Sequence, residues 1–553
     1  MSPFLNKDCR KCSIKFEITA SDQAFYVKMQ VPEPTLCPAC RMQRRTTFRN
    51  ERNLYMRKCD ATGRDIISVY PPDSPFKIYD QTVWWGDSWN AVEYGRDFDF
   101  NRPFFEQFYE LALDVPRINL QNRNCENSEY CHDCSGSINS YLCFNGGNMR
   151  DSHYCTTYGM GSTDCMDMFW SLASELCYEG IKVFGAYHCF WCFNCAGISD
   201  CYFCEDLREC KNCFGCVGLR QREYCIHNQP VGKEKYEQFM KEWNWTRENI
   251  KIAKEKLTAL RLQVPRKNLE IQNSENCLGD YISNSKNCTF AFDVIDSENV
   301  KYFWDGMANN GMDCFNAGIN TNFVYECVAV YSSTNIKFCN KCSESSDLLY
   351  CDFCMQCEHC FGCIGLQRKK YCILNKQYSE EEYFKMRDRL IKHMEITEER
   401  GEFFPASLSP FGYNDSMAQE YFPLSREDAL KSGLTWNDYK NPKPEGLKYI
   451  PARNLPESIE EVSDDIVNWA LECNGCQKFF KITPWELKFY HKEGLPIPKL
   501  CPDCRHFERK GKINPRKLYD RTCMKCDAEM KTSYAADRPE IVYCEKCYLE
   551  SLG

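Results

Sequence analysis

In the stretches 118–231 and 267–378 the apolar positions keep neither the 3.6-residue rhythm of a helix nor a clean strand alternation. They recur every twelve residues. Cys165, Cys177, Cys189, Cys201, Cys213 and Cys225 fall on that step, and Cys131, Cys143 and Cys155 keep it one register away. Cys192, Cys204 and Cys216 form a second column three residues on. The units align as S-x-x-C plus eight more: SEYC, SYLC, SHYC, STDC, SELC. A fixed period marks a repeat array.

The array occurs twice. ECKNCFGCVGLRQREYCIHN (209–228) matches QCEHCFGCIGLQRKKYCILN (356–375), and Cys327, Cys339, Cys351 and Cys363 again step by twelve. Each unit holds β-formers and aromatics with Gly, Asn, Asp and Ser between them, which predicts a coil of short strands, a β-solenoid. A helical repeat is the alternative, and the aromatic and Gly content counts against it. In a solenoid the i, i+12 cysteines stack inside the coil. A charged helical stretch follows each array, at 232–262 and from Ser379, where Glu382 three residues on completes a capping-box signature. Such a helix could cover an open sheet edge. FFEQFYELAL (104–113) predicts a short helix, and another begins near Ser425.

The fold expected is mainly β with some α: four-cysteine zinc ribbons flanking two tandem solenoids, each followed by a helix. The segments read as a ribbon with a basic tail (1–58), a degenerate second ribbon with an aromatic segment (59–117), and solenoid A (118–231) with its helix (232–266). Solenoid B (267–378) and its helix (379–400) come next, then a Pro-dotted linker (401–465), a ribbon with a basic tail (466–521) and a small ribbon (522–553).

Cysteine is the outlier of the composition, with 41 in 553 residues. The start, MSPFLNKDCRKC, has no basic region leading into an apolar stretch, and no run is long enough to span a bilayer. The expected compartment is the cytoplasm, where dense cysteine reads as metal ligands or small buried side chains rather than disulfides.

At the chain ends the spacing is specific. Cys9-x-x-Cys12 with Cys37-x-x-Cys40, Cys473-x-x-Cys476 with Cys501-x-x-Cys504, and Cys523-x-x-Cys526 with Cys544-x-x-Cys547 each supply four thiolates to one tetrahedral ion. Three structural zinc sites are expected. LYDRTCMKCDAEMKTSYAADRPEIVYC (518–544) also matches LYMRKCDATGRDIISVYPPDSPFKIYD (54–80). Cys59 aligns with Cys523, but Thr62 and Asp80 stand where the other ligands would, so this copy should hold no metal.

In the arrays, simple packing is the leading reading. Extra zinc or iron–sulfur sites are the alternative, at Cys210, Cys213, Cys216 and Cys225 and at Cys357, Cys360, Cys363 and Cys372. The C-x2-C-x2-C spacing is that of bacterial ferredoxin sites, with the fourth cysteine displaced. His132, His153, His188 and His359 lie beside array cysteines and read as packing residues.

FYHKEGLPIPKLCPDCR (489–505) resembles a probable zinc-ribbon family common in bacteria. With WWGDSW (84–89), YGRDFDFNRPFFEQF (94–108), FFPASLSPFGYN (403–414) and RPEIVYCEKCY (538–548), the layout resembles Cys-rich zinc-ribbon proteins of small-genome, candidate-phylum bacteria. The resemblance implies zinc binding in a bacterial cytoplasm and no particular activity.

The formal net charge is −9, which excludes a general nucleic-acid coat and leaves only local contact. Arg41, Arg44, Arg45 and Arg49 follow the first ribbon, and Arg505, Arg509, Lys510 and Lys512 follow the second. Two readings stand: contact with RNA phosphates and bases, or pairing with acidic faces of the same chain. No nucleophile–base pair, phosphate loop or HExxH motif is present. The expected function is a zinc-binding, non-enzymatic scaffold that binds RNA or the ribosome through its basic flanks. The alternatives are protein binding by the solenoid faces, and thiol or metal handling.

Overall fold

The computed structural model describes residues 4–552 except 158, 441–445 and 447. The part of the expected linker at 441–445 and 447 therefore lies outside the described residues. The chain divides into two compact units. The first joins Met1–Leu120 to Leu269–Tyr439 and Pro515–Leu518; the second joins Gln121–Asn268 to Lys440–Asn514 and Tyr519–Gly553. Each unit therefore combines one solenoid with terminal modules that are remote from it in sequence.

Both arrays are parallel β-solenoids. In the second unit Cys201 pairs in register with Cys213, and Cys213 with Cys225. In the first, a nine-stranded sheet runs through solenoid B, with Leu348 beside Cys360 and Cys360 beside Cys372. The step slips at several points: Arg150 pairs with Thr163, one residue more than the usual twelve, and Glu275 with Lys286, one fewer.

The twelve-residue coil is built from triplets. Every third residue is left-handed: Asp133 (φ 54°), Gly136 (61°), Asn139 (51°), Leu142 (49°), Asn145 (54°) and Asn148 (53°). These are the corners. Asn, Asp and Gly suit them, because they reach this region at the lowest cost. Each corner N–H donates to the preceding coil, as Gly136 does to Arg123 O at 2.8 Å, and each mid-triplet N–H donates to the next, as His132 does to Cys143 O at 3.1 Å.

The third residue of each triplet points inward, and its backbone N–H would be orphaned there without an acceptor. Small side chains with a polar γ atom supply one. The Cys351 N–H donates to Cys339 Sγ at 3.3 Å, that of Cys357 to Ser345 Oγ at 3.0 Å, and that of Asn228 to Cys216 Sγ at 3.3 Å. The thiol in turn shares its one proton between carbonyls two residues back and nine ahead, as Cys143 does between Tyr141 O (3.6 Å) and Ser152 O (3.2 Å). Cysteine and serine fill the coil because they combine small volume with this capacity. Of the array cysteines only Cys125 and Cys277, in the first coils, are not fully buried.

Each solenoid ends alike. A tight turn reverses the chain antiparallel at Ile226↔Gln229 and at Ile373↔Lys376. Asn228 bonds both N and O of Val217 at 2.8 Å, and Asn375 does the same to Ile364. After solenoid B comes the helix Glu380–Ile396, with the Ser379–Glu382 capping box. After solenoid A the expected single helix is two, Lys233–Glu242 and Arg247–Arg261. The break holds Trp243 and Trp245, which pack on Phe214, Phe203 and Trp191, and Thr246 caps the second helix. The other expected helices lie at Phe104–Asp114 and Arg426–Lys431. No described helix is long and apolar enough to cross a membrane.

Candidate metal centres

All three terminal tetrads assemble. Cys9, Cys12, Cys37 and Cys40 bring their sulfurs within 4.8 Å of one another, as do Cys473, Cys476, Cys501 and Cys504, and Cys523, Cys526, Cys544 and Cys547. The first pair in each sits on a tight turn. The Cys9 N–H donates to Ile14 O (3.0 Å) and the left-handed Ser13 closes back on Cys9 O (2.9 Å); Gln477 and Asp527 repeat that turn. The second pair is not another such turn but the start of a helix. Cys37, Cys501 and Cys544 cap Pro38–Thr46, Pro502–Lys510 and Glu545–Ser551, and the fourth ligand lies in the first helical turn. Proline after the cap favours that start in two of the three.

The geometry fits zinc. Facing sulfurs stand 3.7 Å apart for Cys12 and Cys37, 3.6 Å for Cys476 and Cys501 and 3.9 Å for Cys526 and Cys544. A tetrahedral ion with Zn–S bonds of about 2.3 Å requires sulfur–sulfur edges of about 3.8 Å. Burial would raise the Cys9 thiol, but backbone amides of Cys37, Cys12 and Lys11 override it and draw the pKa down to about 6. The same balance brings Cys473 to about 7 and Cys523 to about 6. Four thiolates leave no open coordination position, so zinc here is structural.

The degenerate copy keeps the turn without the ligands. Gly63 closes on Cys59 O at 2.8 Å, and Asp80 N donates to Cys59 Sγ at 3.3 Å, as Cys544 N does to Cys523 Sγ. Asp80 caps the short helix Gln81–Trp84 in the place of a cysteine. A hydrogen-bonded turn here does what the ion does in the other three.

The residue after the fourth ligand position docks each module on a left-handed solenoid corner. In the first unit Arg41 Nη2 lies 2.8 Å from Asp313 Oδ2, and Trp84 packs edge-on to Phe353 at 5.0 Å. In the second, Arg505 Nε lies 2.8 Å from Asp167 Oδ2, and the Tyr548 hydroxyl donates to Asp206 Oδ2 at 2.6 Å. One helical turn further, Arg45 bonds Glu326 Oε2 at 2.7 Å, and Arg509 lies 3.3 Å from Glu179. Glu326 and Glu179 stand one coil beyond Asp313 and Asp167. Two arginines on one helix face thus meet acids on two successive coils.

This corrects the expected nucleic-acid contacts. Arg41, Arg45, Arg49, Arg505 and Arg509 are no more than 2% exposed and Arg44 is 9% exposed, so phosphates cannot reach them. Arg44 pairs with Glu326 and Glu402, and Arg49 with Glu51. Lys510 is half-buried and Lys512 exposed. The partners Asp167, Glu179, Asp313 and Glu326 were not singled out from sequence. Their signal is an acid at the same place in neighbouring repeats, matched to C-R-x-x-x-R at the ribbon.

The alternative reading, extra metal sites in the arrays, is corrected too. Among the described residues, only the terminal tetrads bring three or more Cys, His, Asp or Glu ligand atoms within 4.8 Å. Cys210, Cys213 and Cys216, and Cys357, Cys360 and Cys363, point inward from successive sides of one coil, while Cys225 and Cys372 lie on the next coil. Their three-residue spacing is the triplet step, not a ligand turn. Of the histidines, His132 meets Gln121 N at 3.1 Å, and His359 stacks on Tyr371. His153 lies against Trp485 and burial lowers its pKa to about 3. His188 bridges Asp200 and Glu493. Trp84 is buried, its Nε1 donating to Pro116 O at 2.9 Å.

Residues 6–49 match the model of a family described as a probable treble clef domain. The match covers the first module alone. Comparison with curated proteins returns no match. Among solved structures, a putative acetyltransferase from Desulfovibrio desulfuricans aligns over 44% of this chain and 65% of its own length, at 9% identity and a TM-score of 0.11. The chain thus spans just under two thirds of that protein, and a score this low carries no argument.

Proposed function

We propose that the protein is a non-enzymatic scaffold whose solenoids, locked by zinc modules, bind other proteins. The observation that carries this reading is the burial of Arg41, Arg45, Arg505 and Arg509 against solenoid acids. The basic flanks are used inside each unit, which weighs against RNA or ribosome binding through them and leaves the solenoid surfaces as the exposed recognition elements. On solenoid B an asparagine ladder, Asn276–Asn287–Asn299–Asn310–Asn322, runs from coil to coil with amide contacts of 2.9–3.4 Å, exposed at Asn276, Asn287 and Asn299 and half-buried at Asn310 and Asn322. It borders an open groove lined by Glu275, Lys286 and Glu298.

The test is cross-linking in cells followed by capture at high salt after nuclease treatment. Protein partners that persist, and that Asn287→Lys with Asn299→Lys removes, support the scaffold. Release of all bound material by nuclease, together with its loss on Lys510→Glu and Lys512→Glu, would favour RNA instead.

A further inference from the structure

In the first unit a small cavity of about 220 Å³ lies between solenoid B, its following helix and the chain just before Cys37. Three cationic side chains reach it from three separate elements: Lys337 from a solenoid strand, Arg387 from the helix Glu380–Ile396, and Arg400 from the turn beyond. Arg387 is held on one edge by Asp388 at 2.7 Å, and Arg400 by Glu395 and the Gln30 carbonyl.

Lys337 differs. Its residue is only 8% exposed, and among the described residues its ammonium has no hydrogen-bond or ion-pair partner. The acid that acts on it, Asp347, is engaged by Asn335 and approached by His359 at 4.0 Å. Burial lowers the lysine pKa, Asp347 opposes that, and Arg387 and Arg400 add to it. An ammonium largely withdrawn from water beside two guanidinium groups is costly unless something compensates it.

We propose that this cavity is an anion-binding site for inorganic phosphate or a small phosphorylated compound. The volume is below the ~300–1,000 Å³ usual for drug-sized ligands, so the ligand is small. Donors converging from three elements suit a tetrahedral oxyanion better than a planar carboxylate, whose acceptor sites lie in one plane. A bound dianion would supply the charge that Lys337 lacks.

The experiment is calorimetric titration of the zinc-loaded full chain with pyrophosphate, inorganic phosphate and acetate. Saturable binding of the phosphates, at least tenfold tighter than acetate, is expected. Lys337→Met should weaken it tenfold or more, Lys337→Arg should retain much of it, and the exposed Lys241→Met should leave it unchanged. If Lys337→Met does not fold, Arg387→Gln, at the cavity rim, should still weaken binding severalfold. No saturable phosphate binding, equal binding of acetate, or wild-type affinity in folded Lys337→Met or Arg387→Gln would each overturn the assignment.

Discussion

Arg45 Nη1 donates to Glu326 Oε2 at 2.7 Å, with neither side chain exposed to solvent. Arg41 and Arg44 share the same carboxylate, so one acid holds three cations at the first metal module. Removing one partner of a buried ion pair strands the other charge and costs about 3–5 kcal/mol, whereas replacing both with apolar groups costs far less. Glu326→Leu should therefore lower the unfolding midpoint strongly, and Asp167→Leu should do the same in the second unit. Adding Arg45→Met should restore part of the Glu326→Leu loss. Thermal unfolding of the single and double variants reads this; an unchanged midpoint in Glu326→Leu would contradict it.

Zinc content should be three per chain. A structural site supplies about 10–16 kcal/mol of folding free energy, so a strong chelator should unfold the terminal modules. Cys9→Ser, Cys473→Ser and Cys523→Ser should each lower the content to two. Cys59→Ser should leave it at three. Mass spectrometry of the native protein counts the ions directly, and a fourth zinc lost with Cys59 would show that the degenerate copy still binds.

The array cysteines should behave as hydrogen-bonding packing groups. Cys216 Sγ accepts the Asn228 N–H and shares its one proton between Phe214 O and Cys225 O. Cys216→Val fills a similar space but orphans that N–H, at a cost of about 1–3 kcal/mol. Cys216→Ser keeps an acceptor and should cost less. Metal content should not change in either variant. Denaturant titration ranks the two, and valine outperforming serine would rule out the hydrogen-bonding role.

His188 should make the second unit sensitive to alkaline pH. Hydrogen bonds to Asp200 (2.8 Å) and Glu493 (3.1 Å) raise its pKa to about 9 against the partial desolvation of the ring. The folded-state pKa thus exceeds the unfolded value of about 6.5. Stabilisation is complete below that value and is lost as pH rises through about 9. The midpoint should fall over this window in the wild type and fall less in His188→Gln. Matching slopes for the two proteins would exclude His188 as the cause.

The local chemistry of this protein is written in short spacings, and these can be read directly. A C-x-x-C pair makes a turn or a helix start that aims two thiolates at one point, whatever surrounds it. The step of twelve specifies a coil because each repeat must hydrogen-bond its neighbour in register. The capping box at Ser379 and the apolar face of Phe104–Asp114 are likewise local.

What the one-dimensional reading could not separate were identical spacings with different causes. Cys357, Cys360 and Cys363 resemble ligands because a triplet coil also places a residue of one kind every three positions. The arginines after Cys40 and Cys504 fitted phosphate contact and pairing within the chain equally well, because their acids lie hundreds of residues away along the chain. Burial decides what such a charge does, and burial comes from docking the N-terminal module on the second solenoid and a C-terminal module on the first. That pairing is a matter of shape and charge fit between distant segments, so only the tertiary structure decided it. Zinc at both ends was legible from sequence; the use of those modules as clamps on the solenoids was not.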